Sequence, residues 1–460
     1  MLNRLLLRTS LMAGFAVASA SPALAQSNAV TAKLDSLAAG PVTQRRAVGL
    51  VAAVVRGRDT LLFKSYGKAD VEGDVAMPLD AMFEVGSVAK QFTAAAILQL
   101  RDAGKLSLDD DITKWLPDFD TRGNKVPLRR LLDHTSGIMG LTEMREFGEL
   151  AGNDKFPRDS AYALIKRYPF HFPTGTAQVY NNSAFWLLGL VVEKASGMSY
   201  EDYVEKRIFA PLGMSRSMYC HSEEKVDRRA LGHNIEGTNA KRARMNVHTW
   251  PFAAGSICST AGDLLTWVRA LHGGKVLSAK SYAEMTAPSK LNDGTPTRYG
   301  MGIGVGKDVR GIRYIGHGGT INGFRAEVNW YPDADLAVVV LVNATGGIDP
   351  GGLAGAIAGQ VIPWSEPAPK TFTGNATALV GTYKGPSRGR DMVVVVTTTP
   401  DGVAFSANGS PARVLPLIDG LTFQGGAALL TFSAIDSATG VPGELRFDAG
   451  GGGYYILKRQ

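Results

Sequence analysis

Residues Ala89 to Leu100 are apolar almost all the way round a helix. Phe92, Ala95, Ala96 and Leu100 share one face, and Ile97 and Leu98 fill much of the other. Such a helix has no side to offer water and belongs in an interior, so the chain must supply layers all around it. Apolar, β-branched runs stand before it, at Val48–Val55 and Leu61–Tyr66, on either side of the polar turn Arg56-Gly57-Arg58-Asp59. Others come late, at Gly311–Ile315, Arg325–Tyr331 and Leu336–Val342. Helical patterns lie between, such as Tyr162–Lys166, Phe185–Lys194 and Ala261–Leu271, and another follows at Leu353–Val361. Strands at both ends with helices inserted between them predict an α/β (α+β) domain with one mixed sheet and a helical insertion.

Composition shifts at Pro363-Trp364-Ser365-Glu366-Pro367-Ala368-Pro369, which reads as a linker over 363–370. Beyond it, residues 371–460 carry short apolar runs, such as Met392–Val396, Leu421–Phe423 and Ala428–Phe432, between turn clusters at Pro400-Asp401-Gly402 and Asn408-Gly409. That spacing predicts a small all-β barrel or sandwich. The chain therefore divides into 26–362, the linker and 371–460, behind an N-terminal segment of its own kind. Arg4 and Arg8 precede an apolar stretch from Leu11 to Ala20, and Ala23-Leu24-Ala25 supplies a small-residue cleavage site. Residues 1–25 read as a secretory signal peptide, so a secreted or periplasmic protein is expected after cleavage near Ala25. About ten apolar residues are too few to span a bilayer, and no membrane span is expected.

Several function classes drop out. The net charge of +7 is modest for 460 residues, and Lys241, Arg242 and Arg244 form the nearest approach to a basic patch; nucleic acid is not an expected partner. No H-E-x-x-H and no P-loop pattern occurs, and two cysteines with seven histidines give no zinc spacing. Neither a metal nor a cofactor is expected. Cys220 and Cys258 can form a disulfide or stay as separate thiols; sequence alone does not supply the distance that decides between them. A G-x-S-x-G match at Gly385-Pro386-Ser387-Arg388-Gly389 lacks the following helix a nucleophile elbow needs and reads as a surface turn.

Three elements carry chemistry. The first is Ser87-Val88-Ala89-Lys90. Ser-x-x-Lys also occurs at Ser65–Lys68 and Ser222–Lys225, but only Ser87 opens an interior helix. Residues three apart share a helix face, and a lysine held away from water favours its neutral form, which is what an unactivated serine needs. The competing reading is a serine cap with a lysine snorkelling to solvent. The second is Tyr180-Asn181-Asn182, the only Tyr-x-Asn among fourteen tyrosines. There a phenol with phenolate character could act as base and an amide could hold Lys90 or substrate; alternatively, Asn182 caps the next helix. The third is His317-Gly318-Gly319 after an apolar strand, where glycines permit close backbone approach and an N–H could complete an oxyanion hole.

Taken in order, Phe83-Glu84-Val85-Gly86-Ser87-Val88-Ala89-Lys90-Gln91-Phe92-Thr93, Leu131-Leu132-Asp133-His134-Thr135-Ser136-Gly137, Tyr180-Asn181-Asn182, Ser259-Thr260-Ala261-Gly262-Asp263-Leu264 and Gly316-His317-Gly318-Gly319 resemble the serine β-lactamase-like family. Its members include class C β-lactamases, D-alanyl-D-alanine carboxypeptidases, family VIII esterases and D-aminopeptidases. The resemblance implies a penicillin-recognising β-lactamase-like fold, an antiparallel sheet flanked by helices with a helical insertion, over roughly residues 40 to 360. It implies Ser87 as the acylated nucleophile, Lys90 and Tyr180 as its proton shuttle, and Asn182 steadying substrate or lysine. The backbone N–H groups of Ser87 and Thr320 would bind the oxyanion, with His317, Gly318 and Gly319 along the substrate, and His134-Thr135-Ser136-Gly137 would be structural. A second, weaker likeness links Leu379-Val380-Gly381-Thr382-Tyr383 to lipocalin-like appendages.

One departure matters. Penicillin-active relatives place Lys-Thr-Gly where this chain has His317-Gly318-Gly319, and a half-charged imidazole and a glycine suit a substrate carboxylate poorly. The expected substrate is therefore a small-molecule or peptide amide, or an ester, in preference to a β-lactam. Two alternatives stand beside this reading: a β-lactamase, and a penicillin-binding sensor that does not turn over. Oligomeric state is not legible.

Overall fold

The computed structural model describes residues 22–151, 157–221, 228–308, 310–364, 370–426 and 428–460. Most of the expected signal segment, residues 1–21, and most of the linker, residues 365–369, lie outside the described residues.

Helix α1 (Pro22–Thr43) leads into a seven-stranded antiparallel sheet. Its strands are β1 (Gly49–Arg56), β2 (Asp59–Asp70), β3 (Val75–Ala76), β7 (Gly304–Lys307), β8 (Arg313–Ile321), β9 (Phe324–Tyr331) and β10 (Leu336–Val342), with β4 to β6 elsewhere. The order across the sheet is β3-β2-β1-β10-β9-β8-β7. The first and last strands in sequence thus meet at the centre, with Leu50 opposite Val342 and Arg56 opposite Leu336. Both are buried on both faces, which explains why β10 reads Leu-Ala-Val-Val-Val-Leu-Val with no polar alternation. α1 and α5 (Pro350–Val361, below) cover one face through Leu34, Ala38, Ala354, Ile357 and Ala358.

The other face meets the helices. α2 (Ala89–Asp102) runs through the middle of the larger core, with Phe92, Ala95, Ala96, Ile97 and Leu98 all buried, as its sequence demands. Around it pack α3 (Asn182–Ser196) and α4 (Ala261–His272), and α5 (Pro350–Val361) closes the domain. A small sheet of β4 (Phe83–Glu84), β5 (Met218–Tyr219) and β6 (Ile257–Ser259) lies just ahead of α2, with β6 in the middle. Cys220 and Cys258 form a disulfide with Cα atoms 5.2 Å apart. Because Cys258 pairs with Glu84 across β6 and β4, this bridge fastens the strand that delivers Ser87.

The C-terminal segment is a nine-stranded antiparallel sheet: β11 (Gly381–Pro386), β12 (Asp391–Thr399), β13 (Gly402–Ala407), β14 (Arg413–Val414), β15 (Leu417–Asp419), β16 (Thr422–Gly425), β17 (Ala428–Ile435), β18 (Pro442–Gly450) and β19 (Gly453–Arg459). Its order, β14-β13-β12-β11-β19-β18-β17-β16-β15, leaves β14 and β15 as edges. The expected barrel is a curled half-barrel around Tyr383, Val394, Phe405, Phe423, Phe432 and Leu457. It is joined to the first domain by an isolated bridge between Gln178 and Tyr454 and by ion pairs Arg298–Asp448 and Arg446–Asp293.

Candidate active site

Ser87 does not cap α2. It sits in a 3-10 turn, Gly86–Val88, that feeds the helix, and the cap position is Val88 with no side-chain hydrogen bond. Gly86 has φ +51°, and a Cβ there would approach the Thr320 nitrogen to 3.0 Å. Gly319 meets the same turn from the other side: a Cβ would collide with the Val85 carbonyl and come within 3.1 Å of the Ser87 nitrogen. Two glycines therefore let the Ser87 turn lie directly on β8, which brings the Ser87 and Thr320 backbone together along one cleft.

Lys90 is fully buried and does not reach solvent. Its Nζ lies 3.1 Å from Ser87 Oγ and donates to Asn182 Oδ1 at 2.9 Å and to the Ala254 carbonyl at 2.8 Å. Burial first, and the Arg388 cation second, hold this amine well below the usual lysine range, against a smaller opposing pull from Glu143. In its neutral form such an amine can give two protons to Asn182 and Ala254 and keep its lone pair for Ser87.

Asn182 is free for this because its neighbour does the capping. Asn181 Oδ1 accepts from the Ala184 N–H at 2.9 Å, so the cap of α3 belongs to Asn181 and not to Asn182. Asn182 Nδ2 donates to Thr142 Oγ1 at 3.0 Å, which fixes the amide orientation. His134 supports the same loop: its Nδ1 accepts the Asn181 N–H at 3.1 Å, and its ring packs tilted against that of Tyr180, with centroids 4.4 Å apart. The His134 motif is thus structural.

Tyr180 puts its ring 4.8 Å from Lys90 Nζ, and its buried hydroxyl has no hydrogen-bond partner among the described residues. Burial pushes this phenol up, outweighing the downward pull of the Ser87 hydroxyl and the Arg388 cation. Phenolate character is therefore opposed by its surroundings, contrary to one sequence-based expectation. His317 also differs from expectation. Its Nε2 lies 2.8 Å from the Tyr299 hydroxyl, and burial above all pushes it down to about 3; the ring is neutral, not half-charged.

These groups line one cleft of about 800 Å³, bounded by Gly86, Ser87, Tyr180, Asn182, His317, Gly318, Gly319 and Thr320. Every residue predicted for the site borders it except Lys90, which stands directly behind Ser87. The family model described as Beta-lactamase matches residues 34–360. The chain belongs to the β-lactamase family.

This β-lactamase-family chain is similar to penicillin-binding proteins and D-aminopeptidases. It is 28% identical over 308 residues to Penicillin-binding protein 4* of Bacillus subtilis (strain 168), covering 62% of this chain and 66% of that one. It is 29% identical over 304 residues to a D-aminopeptidase of Brucella anthropi, covering 65% and 56%. Among solved structures, a D-stereospecific amidohydrolase from Streptomyces sp. superposes with a TM-score of 0.62 at 27% identity, over 71% of this chain and 97% of that one. The structure titled SurE gives a TM-score of 0.66 at 23% identity over 95% and 100%, a likeness of fold that extends through the C-terminal sheet.

Three contributors to the cleft of this β-lactamase-family chain were not legible in the sequence. The Ala254 carbonyl carries no side-chain signal at all. Glu143 and Arg388 pair across the two domains, with Arg388 Nε 2.9 Å from Glu143 Oε1. The G-x-S-x-G segment is a hairpin turn between β11 and β12, as read, but it is not an idle surface turn: Arg388 stands 5.3 Å from the Tyr180 ring centroid. A second C-terminal turn, around Gly452, also abuts His134 and Tyr180.

Proposed function

We propose that this protein is an exported serine hydrolase that cleaves an amide or ester bond through an acyl-Ser87 intermediate. The carrying observation is the disposition of the Lys90 amine, with two acceptors at Asn182 and Ala254 and the Ser87 hydroxyl 3.1 Å away. In this reading Lys90 takes the Ser87 proton as Oγ attacks the carbonyl carbon. The oxyanion rests on the N–H groups of Ser87 and Thr320. The Tyr180 hydroxyl, neutral and unpartnered, hands a proton to the departing amine or alcohol and is reprotonated from Lys90. Water then attacks the Ser87 ester and releases the acid.

The names of the relatives, D-aminopeptidase and D-stereospecific amidohydrolase, favour an amide next to a D-residue. A neutral His317 beside Gly318 favours peptides and esters over β-lactams. Export is supported by the Arg4/Arg8, apolar and Ala23-Leu24-Ala25 sequence, and by the Cys220–Cys258 bridge, since such bonds persist outside the reducing cytoplasm. Among the described residues no helix is long and apolar enough to cross a membrane.

A panel of D-amino-acid amides, a D-Ala-D-Ala peptide, p-nitrophenyl esters and nitrocefin tests this. Turnover of amides or esters is expected; nitrocefin hydrolysis far faster than both would overturn the ranking. A burst of nitrocefin opening followed by a persistent adduct would instead support a sensor that does not turn over.

A further inference from the structure

Where β8 passes Ser87 it offers a carboxylate no cation: burial pushes the His317 imidazole down, and Gly318 has no side chain. Two guanidinium groups line the cleft, Arg325 and Arg388. Arg325 Nη1 is committed to the Ile348 carbonyl. Arg388 is placed differently. Its Nε and Nη2 both point at Glu143 Oε1, so the acid holds one edge of the fork. Glu143 is only 11% exposed, whereas the Arg388 side chain is 47% exposed. The less exposed acid thus anchors the guanidinium, and Nη1 of this cleft-lining side chain donates no hydrogen bond among the described residues. A planar fork with an unused edge suits a carboxylate.

The geometry points to Arg388, delivered by the C-terminal sheet, as the group that binds a free carboxylate on the leaving side of the scissile bond. The side follows from Tyr180: Arg388 stands over the ring of the residue that protonates the departing amine, so a carboxylate on the departing residue lies under the guanidinium. This rests on the acyl-Ser87 reading and refines its substrate class to an amide whose leaving residue is anionic. A peptide with a free C-terminus and the ring carboxylate of a β-lactam share this chemistry, and the peptide is the source argued for.

The test compares an N-acyl dipeptide with its C-terminal carboxamide in the full-length protein. A charge-assisted contact predicts that kcat/KM for the acid exceeds that for the amide by about tenfold or more. R388Q should collapse that ratio toward one, mainly through KM, and R388K should restore part of it. Inhibition of p-nitrophenyl ester turnover by a free amino acid and by its amide supplies a readout independent of peptide cleavage, with the same ordering expected. An acid-to-amide ratio unchanged in R388Q, while a phosphonate still labels Ser87, overturns this inference and leaves the hydrolase reading standing. A ratio that falls in R325Q and not in R388Q overturns it as well, and an Arg388-dependent preference confined to nitrocefin transfers the site to β-lactams and refutes the peptide. Absence of Ser87 labelling sinks both.

Discussion

Asn181 caps the helix on which Asn182 begins, and Asn182 turns its amide to Lys90. Adjacent identical residues thus hold separate contacts, one within the helix end and one with Lys90, and substitutions should separate them. N181A removes a helix cap and a hydrogen bond to the Ile138 carbonyl. It should cost about 1–2 kcal/mol of stability, read as a lower urea midpoint. N182A should leave the midpoint closer to that of the native protein and lower kcat/KM more. Equal effects of both variants on both readouts would contradict the division.

Lys90 should set the acid limb of activity. The amine must be neutral to take the Ser87 proton, and its surroundings lower its proton affinity, so kcat/KM should fall as pH drops through that lowered value and level off above it. Arg388 contributes to the lowering and Glu143 opposes it. In R388Q the limb should move to higher pH, and in E143Q to lower pH. A pH–rate profile in which both variants shift the limb the same way would refute this coupling.

K90M should reduce the acylation rate by roughly 10²–10⁴-fold, the range general-base removal commonly costs. Stopped-flow acylation by a p-nitrophenyl ester measures it. A loss below about tenfold would move the base elsewhere.

The imidazole of His317, pushed down to about 3, should show no titration between pH 5 and 8 by NMR. A midpoint near 6.5 would return the half-charged histidine expected from the sequence and weaken the case for Arg388 as the carboxylate reader.

The Cys220–Cys258 bridge closes a loop with a sequence separation of 38. In the chain-entropy account such a loop contributes about 3–4 kcal/mol. Replacing both cysteines by serine should lower Tm, and reductant should lower the Tm of the native protein but not of the double variant. A native Tm indifferent to reductant would contradict a stabilising bridge.

How much of this was legible follows the range of the interactions. Ser87, in the turn that feeds an interior helix, and Lys90, in that helix's first turn, lie three residues apart, so spacing alone brought them together. Tyr180, Asn182 and Thr320 come from distant elements, and only the ordered likeness to a family linked them. The assignment of the cap to Asn181 needed coordinates because either asparagine satisfies the local rule. The Ala254 carbonyl, the cysteine pairing and the Arg388–Glu143 contact depend on tertiary distance, which no local pattern encodes. The half-barrel was visible as turn-separated apolar runs, but nothing in those runs marks which turn faces the cleft.

Which atom is acylated decides whether Ser87 is the nucleophile. Intact-protein mass spectrometry after treatment with a fluorophosphonate, followed by peptide mapping, measures that directly. One adduct on Ser87, absent in S87A, is the predicted result; an adduct that persists in S87A, or one mapped to another serine, would contradict it.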